Sequence, residues 1–226
     1  MLVAISGIDG SGKTTLANAI ANELNSRGIN ALYSRPKYKV CKQFEHSIGS
    51  VYGDPTLFRK EEINQSYFHG LLIDWFAHYS DFICNIKNTV VIMDRFVLDL
   101  LAQGIHIGAN INSANWLLKL LPKPQLSFFL NYSSQECSRR IILRDGGNNR
   151  FFETPNELKK LSTIYNELLS KFDDYRILSN THTQDDLFVI VEEISENIKL
   201  TGFNNAHFLP NTVCELCSKC HSYQYP

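Results

Sequence analysis

Residues 7–14 read Gly-Ile-Asp-Gly-Ser-Gly-Lys-Thr, the pattern G-x-x-x-x-G-K-[ST], and their surroundings fix how the chain must run on either side. Leu2 to Ser6, just before it, is a short apolar run that reads as a buried strand. From Lys13 to Arg27, just after it, Leu16, Ala17, Ile20 and Leu24 recur at helical spacing, and Gly28 suits the residue beyond a helix end. A strand, a glycine turn and a helix in that order demand a crossover unit, and so a parallel sheet. Gly7, Gly10 and Gly12 let the backbone close around phosphate oxygens with its N–H groups pointing inward. The helix that follows offers the positive end of its dipole to the same anion. Lys13 can reach β- and γ-phosphates, and the Thr14 hydroxyl can bind Mg²⁺. The loop predicts a chain that binds Mg-ATP.

The alternation continues along the chain. Strands are predicted at 30–34, 89–93, 126–130 and 175–178. Thr89 to Met93 is apolar on both faces, as in a strand of a parallel sheet. Helices are predicted at 61–85, 96–103, around 116–121, from a Ser133 or Ser134 cap to about 144, at 156–172 and at 185–198. Residues 35–55, with Gly49, Gly53 and Pro55, read as loop with some helix. The expectation is an α/β fold with a parallel sheet flanked by helices on both faces. The pattern is lost after about residue 200, so residues 1–200 form one domain and 201–226 a tail.

With 226 residues, 44% of them hydrophobic, one globular domain has a sizeable core. A formal net charge of −1 gives no reason to expect nucleic acid or an acidic membrane as partner. No apolar run is long enough to span a bilayer, and the first residues already read as a core strand, leaving no room for a signal peptide. A cytoplasmic chain is expected. Of six cysteines, Cys214, Cys217 and Cys220 cluster beside His221 in the tail. They are either Zn²⁺ ligands or incidental thiols.

Three features narrow the chemistry. Asp94-Arg95 follows the strand ending at Met93, where strand ends line the ligand crevice of a parallel sheet. There a carboxylate can hold the magnesium hydration shell, and an arginine can clamp a second phosphate group. Arg139, Arg140, Arg144 and Arg150 flank Gly146-Gly147, a loop able to close over a transferring phosphoryl group. Asp9, inside the phosphate loop, would be repelled by the phosphates and is expected to reach a sugar hydroxyl of a second substrate.

Together these residues resemble the thymidylate kinase family, over about residues 1–198. The likeness rests on IDGSGKTT at 8–15, SRP at 34–36, MDRF at 93–96 and RR-x3-R-x5-RFFE ending at Glu153. It implies a P-loop NTPase fold with a mobile lid at about 140–153, and transfer of the ATP γ-phosphate to dTMP. By the same likeness Gly7, Asp9, Gly10, Ser11, Gly12, Lys13, Thr14, Thr15 and Arg140 serve ATP, and Asn180-Thr181 contact adenine. Thr14 and Asp94 hold Mg²⁺, while Asp9, Arg35 and Arg95 hold the acceptor. The phosphate loop lacks the arginine that some members carry, which makes Arg144 and Arg150 the catalytic candidates. A homodimer through helices beside the sheet is implied as well.

The chain departs from the family around the acceptor. Pro36 leads into Lys37-Tyr38-Lys39 rather than a glycine-rich turn, and LLIDWFAHY at 71–79 aligns poorly with the family's base-reading block. Trp75 falls near the arginine position of that block, and Phe68, Trp75 or Phe76 is expected to stack on the base. After Arg95 the Gln103 of the family pattern is present and its tyrosine is absent. A nucleotide acceptor is the first expectation. A kinase of nucleosides or other small metabolites, and an ATP-binding regulatory module, stand as alternatives.

Overall fold

The computed structural model describes residues 1–82, 88–146, 153–172, 174–179 and 184–201. Five strands form one all-parallel sheet: β1 (Leu2–Gly7), β2 (Ala31–Ser34), β3 (Val90–Asp94), β4 (Leu126–Asn131) and β5 (Tyr175–Ser179), in the order β2-β3-β1-β4-β5. Every residue of β1 and β3 is buried, as the continuous apolar runs predict for strands covered on both faces. β5 lies at an edge and is half exposed.

Among the described residues eight α-helices accompany the strands: α1 (Lys13–Ser26), α2 (Val40–Tyr52), α3 (Glu61–Phe82), α4 (Val97–His106), α5 (Asn115–Leu120), α6 (Ser134–Asp145), α7 (Pro155–Leu169) and α8 (Gln184–Thr201). Among them only α2 falls where the sequence reads mainly as loop. α2 buries only Cys41 and Ile48, and its own Lys39 offers no side-chain cap. The cap comes from α3 instead. The buried Asp74 carboxylate accepts from the backbone N–H groups of Lys39, Val40 and Cys41 at 3.0, 2.9 and 3.0 Å. Gly53, at φ +71°, ends the helix. Elsewhere the caps are local: Ser133 accepts from Glu136 N at 3.2 Å, and Thr154 from Glu157 N at 3.4 Å with Pro155 following.

β1 is central, hydrogen-bonded to β3 on one side and β4 on the other. From β1 the chain crosses to the edge strand β2, returns to β3 beside β1, and then crosses to the other side for β4 and β5. The crevice at the carboxyl end of β1 is therefore the place where ligands bind in such sheets. Among the described residues, no helix is long and apolar enough to cross a membrane.

Candidate active site

The loop after β1 is shaped by close backbone approach. Gly10 has φ +83°, and a Cβ there would lie 2.5 Å from the Cys137 carbonyl oxygen on α6. Gly12, at φ +94°, sits at the N-terminus of α1. Ser11 N donates to Ile8 O at 3.2 Å, closing the turn. The buried Lys13 ammonium donates to Ile8 O at 2.7 Å and stands 3.6 Å from Asp9 Oδ1. Burial lowers its pKa, with the nearby Arg95 adding to the effect.

The end of β3 faces this loop across the crevice. Asp94 is fully buried. Its Oδ2 accepts from the Thr14 hydroxyl at 2.5 Å and the Tyr33 hydroxyl at 3.1 Å, and Arg35 Nε lies 4.0 Å away. Its Oδ1 is buried with no protein partner. A buried carboxylate oxygen left over in this way asks for a water or a cation's hydration shell. Hydroxyl and carboxylate oxygens are the donor set that Mg²⁺ prefers, so these residues fit the magnesium of a bound nucleotide.

Arg95 takes φ +80°, one of two described non-glycine residues with positive φ. Its guanidinium donates to Asp9 and lies 4.0 Å from Asp99. Burial alone would raise the Asp9 carboxyl, but Arg95, Lys13 and Arg35 overcome it and hold the group well below the usual carboxylate range.

Lys13, Thr14, Asp9, Arg35 and Arg95 line one cleft of about 1090 Å³, with the buried Asp94 behind Thr14. Its phosphate end carries Asp9, Gly10, Gly12, Lys13, Thr14 and Thr15. Arg140, Arg144 and Glu153 also line it, as do Arg35, Arg95 and Gln103. Tyr38, Lys42, Glu45, Phe58, Tyr67, Leu71 and Ile107 form much of the remaining wall.

The thymidylate kinase family model matches residues 5–194. The chain belongs to the thymidylate kinase family. It is similar to the thymidylate kinase of Desulfotalea psychrophila, 27% identical over 170 residues that cover 74% of this chain and 81% of that one. It is 30% identical over 178 residues to the probable thymidylate kinase of Thermoplasma acidophilum, covering 73% and 82% of the two chains. In fold it resembles the solved thymidylate kinase of Candida albicans, with a TM-score of 0.60 and 22% identity over 89% of this chain and 92% of that one. Thymidylate kinases use ATP and Mg²⁺.

Within this thymidylate kinase fold, the structure brings together the phosphate loop, Asp94, Arg95, Arg35, Gln103, Arg140 and Arg144. Ser11 is buried within the loop, and Gly7 lies at the end of β1 against Leu130. Phe68 and Trp75 do not join them. Phe68 is 0% exposed and its ring presses on Gly104, while Trp75 is 1% exposed and packs edge-on to Phe96 at 5.9 Å. Both are core residues on the inner face of α3. Phe76 is packed beside Trp116, 5.8 Å away, and is not among the residues lining the cleft. The α3 residues that reach the cleft are Tyr67 and Leu71, one helical turn apart. Tyr67 stacks on Phe58 at 4.3 Å, and its hydroxyl donates to Glu45 at 2.6 Å.

Sequence reasoning missed Tyr67 because it precedes Phe68 by one residue, and only the helix phase tells the two apart. It missed Lys42 and Glu45 with the helix that presents them, and Tyr38 in the segment leading into that helix. The i, i+3 spacing of 42 and 45 was the signal available. Arg150, Asn180, Thr181, Cys214, Cys217, Cys220 and His221 lie outside the described residues. Among the described residues, no group of three or more His, Cys, Asp or Glu side chains can hold a metal ion.

Proposed function

We propose that this chain transfers the γ-phosphoryl group of Mg-ATP to the phosphate of dTMP, giving dTDP and ADP. The observation that carries the reading is the meeting, in one cleft, of a phosphate loop, a strand-end carboxylate with an unpartnered oxygen, and two arginines beside it. Lys13 is set to exchange the Ile8 carbonyl for the β- and γ-phosphates. Magnesium, bound with ATP, would neutralise charge on those phosphates, with Thr14 and Asp94 orienting its shell. Arg95 and Arg35 would grip the acceptor phosphate. The buried Arg95 Nε has no protein partner, which leaves a donor for that purpose. An acceptor oxygen then attacks the γ-phosphorus in line, and the bond to the β-phosphate oxygen breaks. Arg144 and Arg150 are the candidates to meet the charge that develops, with Arg140 on the ATP side. Tyr38, Phe58, Tyr67, Leu71 and Gln103 would enclose the acceptor's sugar and base.

A nucleoside acceptor would instead need a general base at its hydroxyl. Asp9 is a poor one, because three cations hold its carboxyl far down the pH scale. That favours a phosphate acceptor, as do the two arginines. An ATP-binding regulatory module would have no use for them.

Coupled ADP release with Mg-ATP against dTMP, dUMP, dCMP, GMP and thymidine tests the reading. Turnover fastest with dTMP is expected, and turnover with thymidine alone, or with none of the five, would overturn it. The reading assigns activity to residues 1–200 and asks nothing of the tail cysteines, with or without Zn²⁺. Removing residues 202–226 is therefore expected to leave turnover intact. A cytoplasmic homodimer follows from the same family likeness, and light scattering on the purified chain would read the dimer directly.

A further inference from the structure

Arg95 is held on two sides, and only one of them faces the cleft. On the cleft side is Asp9, whose side chain is 26% exposed and which also stands near Lys13. On the core side is Asp99, with a side chain that is 0% exposed, 4.0 Å from the guanidinium. Asp99 lies within the first turn of α4, and both of its oxygens are occupied. Oδ2 accepts from Phe96 N at 3.0 Å. Oδ1 accepts from the Tyr165 hydroxyl at 2.8 Å. Tyr165 belongs to α7, is itself buried, and packs its ring on Phe129 of β4 at 5.3 Å.

Part of this arrangement is ordinary helix capping, since a carboxylate three residues into a helix commonly accepts from the backbone N–H at its start. Capping does not require the buried tyrosine or the arginine on the same oxygen. A fully buried carboxylate is costly unless its charge is compensated and its lone pairs filled. Here Arg95 supplies the charge, and Tyr165 and Phe96 fill the lone pairs. Reciprocally, Asp99 supplies a counter-charge that is fixed in the core, whereas Asp9 sits in the loop and faces the ligands. Arg95 also occupies a left-handed backbone conformation that disfavours a side-chain-bearing residue. That conformation aims its side chain between the two carboxylates.

We infer that Asp99 and Tyr165 are positioning residues for the acceptor. Asp99 holds the Arg95 guanidinium in place when Asp9 turns to the ligands, and Tyr165 holds Asp99. Through this chain of contacts α7 supports the grip on the acceptor's phosphate group. The inference rests on the reading in which Arg95 binds that phosphate, and adds two residues from outside the cleft.

The test measures affinity for dTMP and for thymidine, which lacks the phosphate, in wild type, Asp99→Asn, Tyr165→Phe and Arg95→Ala. Asp99→Asn keeps one acceptor, for Phe96 N, and removes the charge together with the oxygen that accepts from the Tyr165 hydroxyl. It is expected to weaken dTMP by about tenfold, a loss of one charged contact. Thymidine affinity and the KM for ATP should stay within about twofold. Tyr165→Phe should shift dTMP severalfold in the same direction. In the Arg95→Ala background, Asp99→Asn should have no further effect on dTMP, because it acts through the arginine. Equal weakening of dTMP and thymidine would make Asp99 a structural residue and overturn the inference. If Asp99→Asn does not fold, the Tyr165→Phe comparison decides alone. If Arg95→Ala itself leaves the preference for dTMP over thymidine unchanged, the acceptor role of Arg95 fails. If Arg95→Ala removes that preference and Asp99→Asn does not, only the positioning role fails.

Discussion

The Thr14 hydroxyl donates to Asp94 Oδ2 at 2.5 Å, joining the first turn of α1 to the end of β3. β1 and β3 pair with Ile5 opposite Asp94, so the sheet register itself sets this meeting. The other oxygen, Oδ1, is buried without a protein partner. Replacing Asp94 with Asn preserves shape and removes the charge that would orient a magnesium shell. Asp94→Asn is expected to lower kcat by about two to three orders of magnitude. It should also move the rate's dependence on Mg²⁺ to higher concentration. Titrating turnover against Mg²⁺ at saturating ATP checks both, and an unchanged titration would remove Asp94 from the metal's surroundings.

The arginines of α6 are not equivalent. Arg140 lies over the Tyr132 ring at 4.5 Å and donates to Glu136 at 2.8 Å, whereas Arg144 reaches across to Glu153 at 3.1 Å. Both line the cleft, while Arg139 pairs with Glu136 on the exposed side and does not. Arg144→Ala should lower kcat by about a hundredfold or more, as loss of a transition-state donor does, with the acceptor KM little changed. Arg139→Ala should leave turnover near wild type. Single-turnover phosphoryl transfer separates the two, and equal effects would mean the helix acts only through its overall charge.

Asp74 caps a helix that is not its own. Removing its carboxylate leaves three backbone N–H groups at the start of α2 without their acceptor, a cost of about 1–3 kcal/mol for unmet buried donors. Because Tyr38, Lys42 and Glu45 reach the cleft from that segment, Asp74→Ala should also raise the acceptor KM more than the ATP KM. Urea unfolding reads the first effect and steady-state kinetics the second. A loss of stability with both KM values unchanged would detach α2 from acceptor binding.

Neighbouring aromatics on α3 should respond differently. Phe68→Ala empties a fully buried site and is expected to cost about 3–5 kcal/mol. Gly104→Ala drives a Cβ to within 2.5 Å of the Phe68 ring, overpacking worth about 1–3 kcal/mol. Tyr67→Phe removes only the hydroxyl that donates to Glu45, so its effect should fall on the acceptor KM. Melting temperatures and acceptor kinetics on the three variants check the division. A stable Phe68→Ala with impaired acceptor binding would return Phe68 to the site.

Legibility in the sequence tracks how local each cause is. The strands are apolar runs, α1 is announced by its glycine loop, and α6 and α7 carry their own Ser133 and Thr154 caps. α2 was hidden because its cap, Asp74, lies in another helix, and because it buries little of its surface. The phosphate end of the cleft is read from one contiguous motif. The wall at Tyr67 depends on the phase of a helix in which Phe68, Leu71, Leu72, Trp75 and Tyr79 are all buried. Aromatic content alone cannot assign a face there. Asp99 and Tyr165 lie on separate helices, α4 and α7, and nothing along the chain announces that they meet.

One buried pair makes stability depend on pH. His106 Nε2 and Glu157 Oε2 are 2.6 Å apart, with side chains 1% and 7% exposed. Burial lowers the His106 pKa, Glu157 opposes the shift, and Arg59 and Lys160 reinforce it. The folded pKa thus lies below the unfolded value of about 6.5. Between the two, the unfolded chain binds the proton and the folded chain does not, so folding stability falls as pH drops through about 6.5. The loss from this one group is at most about 1.4 kcal/mol per pH unit, and it ceases below the folded pKa. His106→Gln keeps a donor for Glu157 and removes the titration. Urea unfolding from pH 7.5 to 5.0 should therefore show a shallower decline for the variant than for wild type. Parallel curves would mean that His106 titrates alike in both states, and an opposite ordering would mean that Glu157 holds the imidazole charged in the fold.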